Sequence, residues 1–331
     1  MKKAIHIARA AQTYLVVSVI LGSGYLISPP YRLGAQGRLL ALEKDVYIRS
    51  LPGSPAPEWY GRLLLAIDNR VGKQVQVIAI DGAGVNLQIP FEIPGVTQIT
   101  VLGLGAGTDR TVVLSGIAST GDSRGRGFVA WIAPNRESQV VARTEKFFAY
   151  AVTAAADGTI WAAGHEWQDD DGKVVKNNVF RRYSPTGQLI GSFSEPRARA
   201  KAFVSGDGTQ ASKLMSANDR VGWFTNGGEY FEYSLLGAPM GRFDGPPGLV
   251  WGRTYAGSAL SDGGDLIVGV GGEQATQIFE LDRGNGTWAT VRLPGGAAPR
   301  NHVFGFDGEA LILQSQQGEL HRYSFAPQGL K

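Results

Sequence analysis

The side chains best suited to chemistry lie in one polar segment near the middle of the chain, residues 164–172 (GHEWQDDDG). Carboxylates at Asp169 and Asp171, followed by a glycine, could ligate Ca²⁺, because this hard cation takes oxygen ligands. The twelve-residue calcium loop is incomplete, since Val174 and Val175 follow and no Glu closes the site. A solvated acidic hairpin tip is the preferred interpretation, so we expect no cofactor, with Ca²⁺ as the alternative.

His165 and Glu166 in the same segment could be catalytic or zinc-binding partners, but two groups alone do not make a site. The chain has no Cys, no Walker sequence, no His-Glu-x-x-His and no Gly-x-Ser-x-Gly elbow. These absences exclude thiol chemistry, Cys-bound metals and the common nucleotide and hydrolase signatures. The glycine-rich run 103–107 is followed by the strand-like segment 111–114 instead of a helix. We therefore interpret the run as a tight turn between two strands.

The first 35 residues have the pattern of a secretory signal. Lys2, Lys3 and Arg9 precede an uncharged apolar stretch, residues 14–27, and Ala35 is a plausible last residue before cleavage. An uncleaved membrane anchor at residues 10–27 and a buried cytoplasmic segment are the alternatives. The first two interpretations export the rest of the chain to the periplasm or the extracellular space. Removing residues 1–35 removes four basic residues and no acid, which changes the formal net charge from +3 to −1. Charge therefore gives no support for a nucleic-acid partner.

Residues 36–331 are predicted to form one all-β domain. Glycine is abundant, with 46 of 331 residues, and 43% of the chain is apolar, which disfavours both disorder and long helices. A short strand followed by a turn recurs with a period of 40–50 residues, which is close to that of one four-stranded propeller blade. The six marks of this repeat are 80–84, 132–136, 183–187, 233–237, 281–286 and 323–329. The pattern predicts a six-bladed β-propeller.

The last repeat is incomplete, because residues 302–324 supply only three strands. We expect a fourth strand from the N-terminus, where 38–42 and 46–51 both have strand-like patterns. One of them should close the last blade, and the other should be the inner strand of the first blade. Closure is needed because an isolated blade cannot bury both of its faces. An open β-solenoid is the alternative.

Two strings resemble a known superfamily: residues 156–163 (ADGTIWAA) and 179–190 (VFRRYSPTGQLI). They look like the repeat of the six-bladed NHL-like and TolB-like propellers, and the resemblance extends over residues 38–328. The resemblance implies a binding scaffold, or a metal hydrolase like the gluconolactonases. Such a hydrolase would hold its metal in the central channel. The predicted inner strands, 150–156, 213–218, 255–261 and 302–306, offer Asn218 alone as a ligand, so the enzyme ranks second.

In a propeller, the loops between second and third strands and those between blades emerge on one face. Long loops on a rigid scaffold often bind partners, and Trp, Tyr and Arg commonly anchor interfaces. We expect this face to engage a protein, peptide or glycan of the cell envelope, with contact to the membrane only through an uncleaved N-terminal segment. The side chains expected there are Arg124, Arg126, His165, Glu166, Trp167, Arg197, Arg199, Lys201, Trp251, Arg253, Tyr255, Arg300 and His302. Trp131 and Trp161 are expected to pack between blades, because both lie in strand patterns.

Overall fold

The computed structural model of the chain contains only strands, turns and irregular segments in the residues that it describes. No helix capable of crossing a membrane occurs among those residues. All of them belong to one compact unit. The described residues are 36–46, 58–60, 63–69, 71–81, 86–107, 109–121, 125–133, 138–168, 175–198, 212–250, 253–273, 275–293, 301–315 and 319–325.

Twenty-five strands occur in this described part of the chain, and most contain five to nine residues. They are β1 (Gln36–Val46), β2 (Glu58–Tyr60), β3 (Leu63–Asn69), β4 (Val71–Gly72), β5 (Gln74–Asp81), β6 (Asn86–Glu92), β7 (Gln98–Ala106), β8 (Val112–Ser119), β9 (Arg126–Ile132), β10 (Gln139–Thr144), β11 (Phe147–Ala154), β12 (Ile160–Trp167), β13 (Val175–Tyr183), β14 (Leu189–Ser194), β15 (Ser212–Ser216), β16 (Arg220–Thr225), β17 (Glu229–Ser234), β18 (Pro239–Asp244), β19 (Tyr255–Leu260), β20 (Leu266–Gly271), β21 (Thr276–Asp282), β22 (Thr287–Arg292), β23 (His302–Asp307), β24 (Ala310–Gln314) and β25 (Leu320–Phe325).

These strands form five sheets in which neighbours along the chain pair antiparallel. Three sheets have four strands, in the orders β2-β3-β5-β6, β11-β12-β13-β14 and β15-β16-β17-β18. A fourth has the order β10-β9-β8-β7-β4. The fifth has eight strands, in the order β19-β20-β21-β22-β1-β25-β24-β23. For brevity we call them the β2, β11, β15, β7 and β19 sheets. We call β2, β7, β11, β15, β19 and β23 the first strands, because each begins a run of strands that pair antiparallel.

The N-terminal strand β1 supplies the neighbour that the last three strands need. It pairs antiparallel with β25, with Leu40 opposite Phe325 and Val46 opposite Leu320. Its first residues pair parallel with β22, where Gln36 lies opposite Thr290. The expected pairing of the N-terminal segment with the last repeat is therefore confirmed. The expected inner strand at 46–51 is not: the first strand of the β2 sheet is Glu58–Tyr60, Val46 belongs to β1, and residues 47–51 lie outside the described part.

Local turn chemistry explains why the strands reverse where they do. Between β11 and β12, the Asp157 carboxylate accepts hydrogen bonds from the backbone N–H and the hydroxyl of Thr159, at 3.0 and 2.6 Å. Gly158 has a φ of +78°, which glycine adopts without a steric penalty. Between β13 and β14, Gly187 has a φ of +95°. The turns predicted at these two places are confirmed.

Among the described residues, the apolar core forms five clusters of buried side chains between neighbouring groups of strands. Each cluster takes residues from two neighbouring groups of strands; for example, Val101 of β7 and Phe91 of β6 share one, and Trp161 and Trp223 share another. First strands also contact one another in sequence: β7 with β11, β11 with β15, β15 with β19, β19 with β23, and β23 with β2. Antiparallel sheets that pack face to face around a set of first strands form a β-propeller.

The glycine-rich run 103–107 does not form the expected turn. Gly103 and Gly105 lie inside the first strand β7, and only Gly107 follows the strand end. A Cβ on Gly103 would lie 3.0 Å from the carbonyl oxygen of Tyr150, and one on Gly105 would collide with the carbonyl oxygen of Val152. Glycine at positions 103 and 105 therefore lets β7 lie close to β11 of the neighbouring sheet.

Two tryptophans pack between sheets, as expected. The indole N–H of Trp131 in β9 donates a 3.1 Å hydrogen bond to the carbonyl of Pro185, which lies in the turn of the next sheet. Trp161 in β12 is fully buried, with its ring 6.2 Å from the ring of Tyr233 in the β15 sheet. These indoles join the β7 sheet to the β11 sheet and the β11 sheet to the β15 sheet.

Candidate functional site

Three predicted side chains, His165, Glu166 and Trp167, lie where the second strand of the β11 sheet ends beside the start of its first strand. In the β11 sheet, Phe148 lies opposite His165 and Phe147 lies opposite Glu166. Gly164 makes this close pairing possible, because a Cβ there would lie 2.7 Å from the Cα of Ala149. The sequence thus brings a pair of aromatic residues in β11 beside the His-Glu-Trp segment that ends β12.

An aromatic cluster forms at this end of the sheet from Phe148, Tyr150, His165 and Trp167. The ring of Phe148 lies 4.7 Å from that of Trp167 and 5.6 Å from that of His165, and the His165 and Tyr150 rings are 6.4 Å apart. Phe148 is buried, whereas Trp167 keeps 39% of its surface exposed. A buried layer of rings therefore supports one large, accessible indole.

His165 contributes to this cluster mainly as a flat, neutral ring. Burial lowers the pKa of His165 below its ordinary value, because the charged imidazolium loses contact with water. Its Nδ1 atom is buried and has no hydrogen-bond partner. The imidazole is therefore uncharged near neutral pH and stacks on Phe148 and Tyr150.

Glu166 is committed to an ion pair and does not join His165 in a catalytic pair. Its Oε2 atom accepts a 3.0 Å hydrogen bond from the guanidinium of Arg181. The same guanidinium lies 4.5 Å from the centre of the Phe147 ring. Successive side chains of a strand point to opposite faces, so Glu166 and His165 diverge. In the described part of the chain, no three His, Asp or Glu side chains are grouped closely enough to hold a metal ion.

A second cluster lies at the same ends of three other first strands. The ammonium of Lys213 in β15 donates a 3.1 Å hydrogen bond to the carbonyl of Ser258 in β19. The hydroxyls of Tyr255 and Ser258 are 2.8 Å apart. A Cβ on Gly257 would lie 2.8 Å from Nε2 of His302 in β23. We call Lys213, Tyr255, Ser258 and His302 the inner-strand cluster.

The pKa of His302 is lowered to about 4, first by burial of the imidazole and second by the nearby positive charge of Lys213. His302 is nevertheless exposed to solvent over part of its surface. The low pKa makes His302 neutral near pH 7.

The described arginines that were expected on this face are paired with acidic side chains or exposed. Arg197 donates two hydrogen bonds, of 2.8 and 3.0 Å, to the carboxylate of Glu195. The bond from Arg197 is the main reason that the pKa of Glu195 is lowered. Arg126 lies 3.6 Å from Glu145 on the surface, and Arg253 is exposed just before β19.

The structure thus groups His165 with Trp167, and Tyr255 with His302, and it leaves Arg197 and Arg253 apart from both pairs. Sequence reasoning missed Phe148, Tyr150 and Lys213. The run of aromatic residues at 147–150 was a usable signal for the first two. Seven predicted side chains lie outside the described residues: Arg124, Asp169, Asp171, Arg199, Lys201, Trp251 and Arg300.

Asn218, the one metal ligand expected from the inner strands, does not lie in a strand. β15 ends at Ser216, and Asn218 follows it in an exposed turn. Its backbone N–H donates a 3.0 Å hydrogen bond to the carbonyl of Asp262 in a neighbouring turn. The prediction of this strand was two residues too long, because the turn begins after Ala217.

Comparisons with known proteins leave the interpretation of this site to its own geometry. No family model matches the chain, and no curated protein matches its sequence. Among solved structures, the chain is similar to the β-propeller domain of Cps50 (Swd1) from Myceliophteria thermophila, with 11% sequence identity and a TM-score of 0.46. The match covers 87% of this chain and 100% of that domain.

Proposed function

We propose that the protein is an exported six-bladed β-propeller that binds a protein or peptide of the cell envelope through its aromatic cluster. The blade count follows if the eight-stranded sheet is divided at the parallel contact between β22 and β1. Each part then has four strands, in the orders β19-β20-β21-β22 and β1-β25-β24-β23. The proposed blade relationship to the NHL-like and TolB-like propellers rests on the two repeat strings alone.

The observation that carries the binding function is the partly exposed indole of Trp167 on its support of buried rings. Tryptophan supplies much of the binding energy at protein interfaces when a well-packed surround holds it in place. Phe148, 4.7 Å away, limits the movement of the indole before a partner arrives. Binding therefore costs little additional side-chain entropy. The surrounding neutral His165 favours an apolar or aromatic side chain of the partner over a charged one.

The lactonase-like alternative has no specific support in the described residues. Glu166 is paired with Arg181, Asn218 is displaced from the inner strands, and the inner-strand cluster offers an ammonium and hydroxyls in place of carboxylates. Such a set does not match the oxygen ligands that a hydrolytic divalent metal requires. We therefore propose binding without catalysis.

Export is the second part of the proposal, and it rests on the positive start and the apolar run of the first 35 residues. N-terminal sequencing of the protein recovered from the periplasm and from the membrane tests it. A mature chain that begins near Gln36, or an intact chain in the membrane fraction, supports export. Intact protein found only in the cytoplasm contradicts it.

Site-specific cross-linking tests the binding face. A photoreactive p-benzoylphenylalanine at position 167 should give a discrete adduct with one envelope protein when living cells are irradiated. The matched control carries the same group at Leu236, which is 82% exposed in a turn remote from the cluster. Adducts of the same kind from both positions, or none from position 167, would contradict the proposal. An adduct of position 167 with glycan alone would replace the protein partner by a carbohydrate.

A further inference from the structure

A cavity of about 720 Å³ lies at the opposite ends of the first strands from the aromatic cluster. It is bounded by the turn that follows β19, the turn that follows β23, and the end of β25. Its volume is within the range of about 300–1,000 Å³ that small-molecule sites commonly have. The proposed binding face uses none of its residues.

The lining of the cavity is acidic. Asp262 and Asp265 come from the first turn, Glu309 from the second, and Arg322 and Phe325 from β25. Arg322 is already engaged, because its Nε atom donates a 3.0 Å hydrogen bond to the carboxylate of Asp307. The positive charge of Arg322 therefore neutralises Asp307 more than it neutralises the carboxylates that face the cavity.

Several glutamates elsewhere among the described residues are paired with arginine. Glu166, Glu195, Glu229 and Glu232 each accept a guanidinium hydrogen bond at 3.2 Å or less. Among the described residues, the side chains of Asp262 and Glu309 have no such partner. Two unpaired carboxylates from different turns thus face one ligand-sized space. A bound positive charge would be attracted to both carboxylates.

We propose that this cavity binds an organic cation with a primary ammonium group on a short aliphatic chain, either a free diamine or the side chain of a lysine in a peptide. The carboxylates of Asp262 and Glu309 would accept charge-assisted hydrogen bonds from the ammonium. The ring of Phe325 would contact the aliphatic part. The volume is larger than a bare metal ion needs, and it suits a molecule of several heavy atoms.

Isothermal titration calorimetry of the full-length protein tests the proposal, with 1,5-diaminopentane and N-acetyl-lysine-N-methylamide as probes. Saturable binding of either probe is expected, and it should weaken as salt is added, because screening reduces the attraction between the charges. Binding of the diamine alone identifies a free amine as the ligand, and binding of the lysine derivative identifies a peptide side chain. Neutral 1-pentanol should not bind.

Two isosteric variants, Asp262→Asn and Glu309→Gln, should each weaken binding by about tenfold or more, because each loses one charge-assisted hydrogen bond. The matched control Glu145→Gln removes an equal charge from an exposed pair outside the cavity lining and should bind as the wild type does. The proposal is overturned if neither probe binds, or if both cavity variants retain wild-type affinity. It is also overturned if Ca²⁺ binds in a manner that depends on these carboxylates while the amines do not.

Discussion

The carboxylate of Glu232 joins two neighbouring groups of strands through arginines. It lies in β17 with 2% of its surface exposed. One oxygen accepts a 3.0 Å hydrogen bond from Arg220 in β16, and the other accepts a 2.8 Å hydrogen bond from Arg283, in the turn after β21. The pair with Arg283 crosses from the β15 sheet to the β19 sheet, so it adds an ion pair to a junction that also holds apolar contacts and hydrogen bonds, such as that from the Trp288 indole to the Asp244 carbonyl.

Replacing Glu232 by Ala should destabilise the fold substantially. Removal of one partner from a buried ion pair costs about 3–5 kcal/mol, because the remaining charge is left without compensation. Arg220 keeps a second partner in Asp219, with both bonds at 2.8 Å, so the lower figure of about 3 kcal/mol applies. At about 2–4 °C per kcal/mol, the melting temperature should fall by roughly 6–12 °C.

Thermal unfolding followed by circular dichroism measures this effect, with Glu145→Ala as the control. Glu145 and Arg126 form an exposed pair, and such pairs contribute only about 0–1 kcal/mol. A double-mutant cycle with Arg283→Met should show that the two side chains are coupled. A melting temperature that Glu232→Ala leaves unchanged, or a cycle with no coupling, would refute the assignment of this carboxylate to the junction between sheets.

Three further outcomes are expected from the same purified protein. Gly105→Ala should lower the melting temperature, because the new Cβ meets the carbonyl of Val152. The control Gly191→Ala places its Cβ no closer than 3.7 Å to any neighbour and should be tolerated. Equal melting temperatures of the two variants would contradict this expectation. Deletion of residues 36–51 should unfold or aggregate the domain by exposing the edge of β25, and light scattering with a melting curve checks it. For His302, the unfolded chain binds its proton near pH 6.5 and the folded protein only near pH 4. Wild-type stability should therefore fall as the pH drops from 6.5 to 4, and His302→Gln should lose less over that interval in a pH series of melting curves; identical pH profiles would contradict the assigned pKa.

The features predicted correctly from sequence depend on local rules. The Asp157-Gly158 turn needs only a side chain that caps the turn and a residue that accepts positive φ, and both are visible in the sequence. The incomplete last repeat made a borrowed strand necessary, and the pairing of Leu40 with Phe325 supplies it. Trp131 and Trp161 were recognised because large rings within strand patterns must be buried.

The features that were missed depend on neighbours distant in sequence. Position 105 of strand β7 requires glycine because Val152, on the next sheet, comes too close for a side chain. No local sequence pattern indicates that close approach. The contact between Phe148 and Trp167 depends on the register of β11 against β12, which shifts between Ala149 and Ala151. The His165 and Glu166 pair was recognised as unusual, but its divergence became visible only when Arg181 was placed beside Glu166.

The most direct test of the account is the affinity of the partner identified by cross-linking, measured by biolayer interferometry for the wild type, Trp167→Ala and Leu236→Ala. A hot-spot indole contributes about 2 kcal/mol or more, so Trp167→Ala should raise the Kd by about 30-fold or more with an unchanged circular dichroism spectrum. Leu236→Ala should bind as the wild type does. A Kd that Trp167→Ala leaves unaltered would contradict the claim that the aromatic cluster is the binding site.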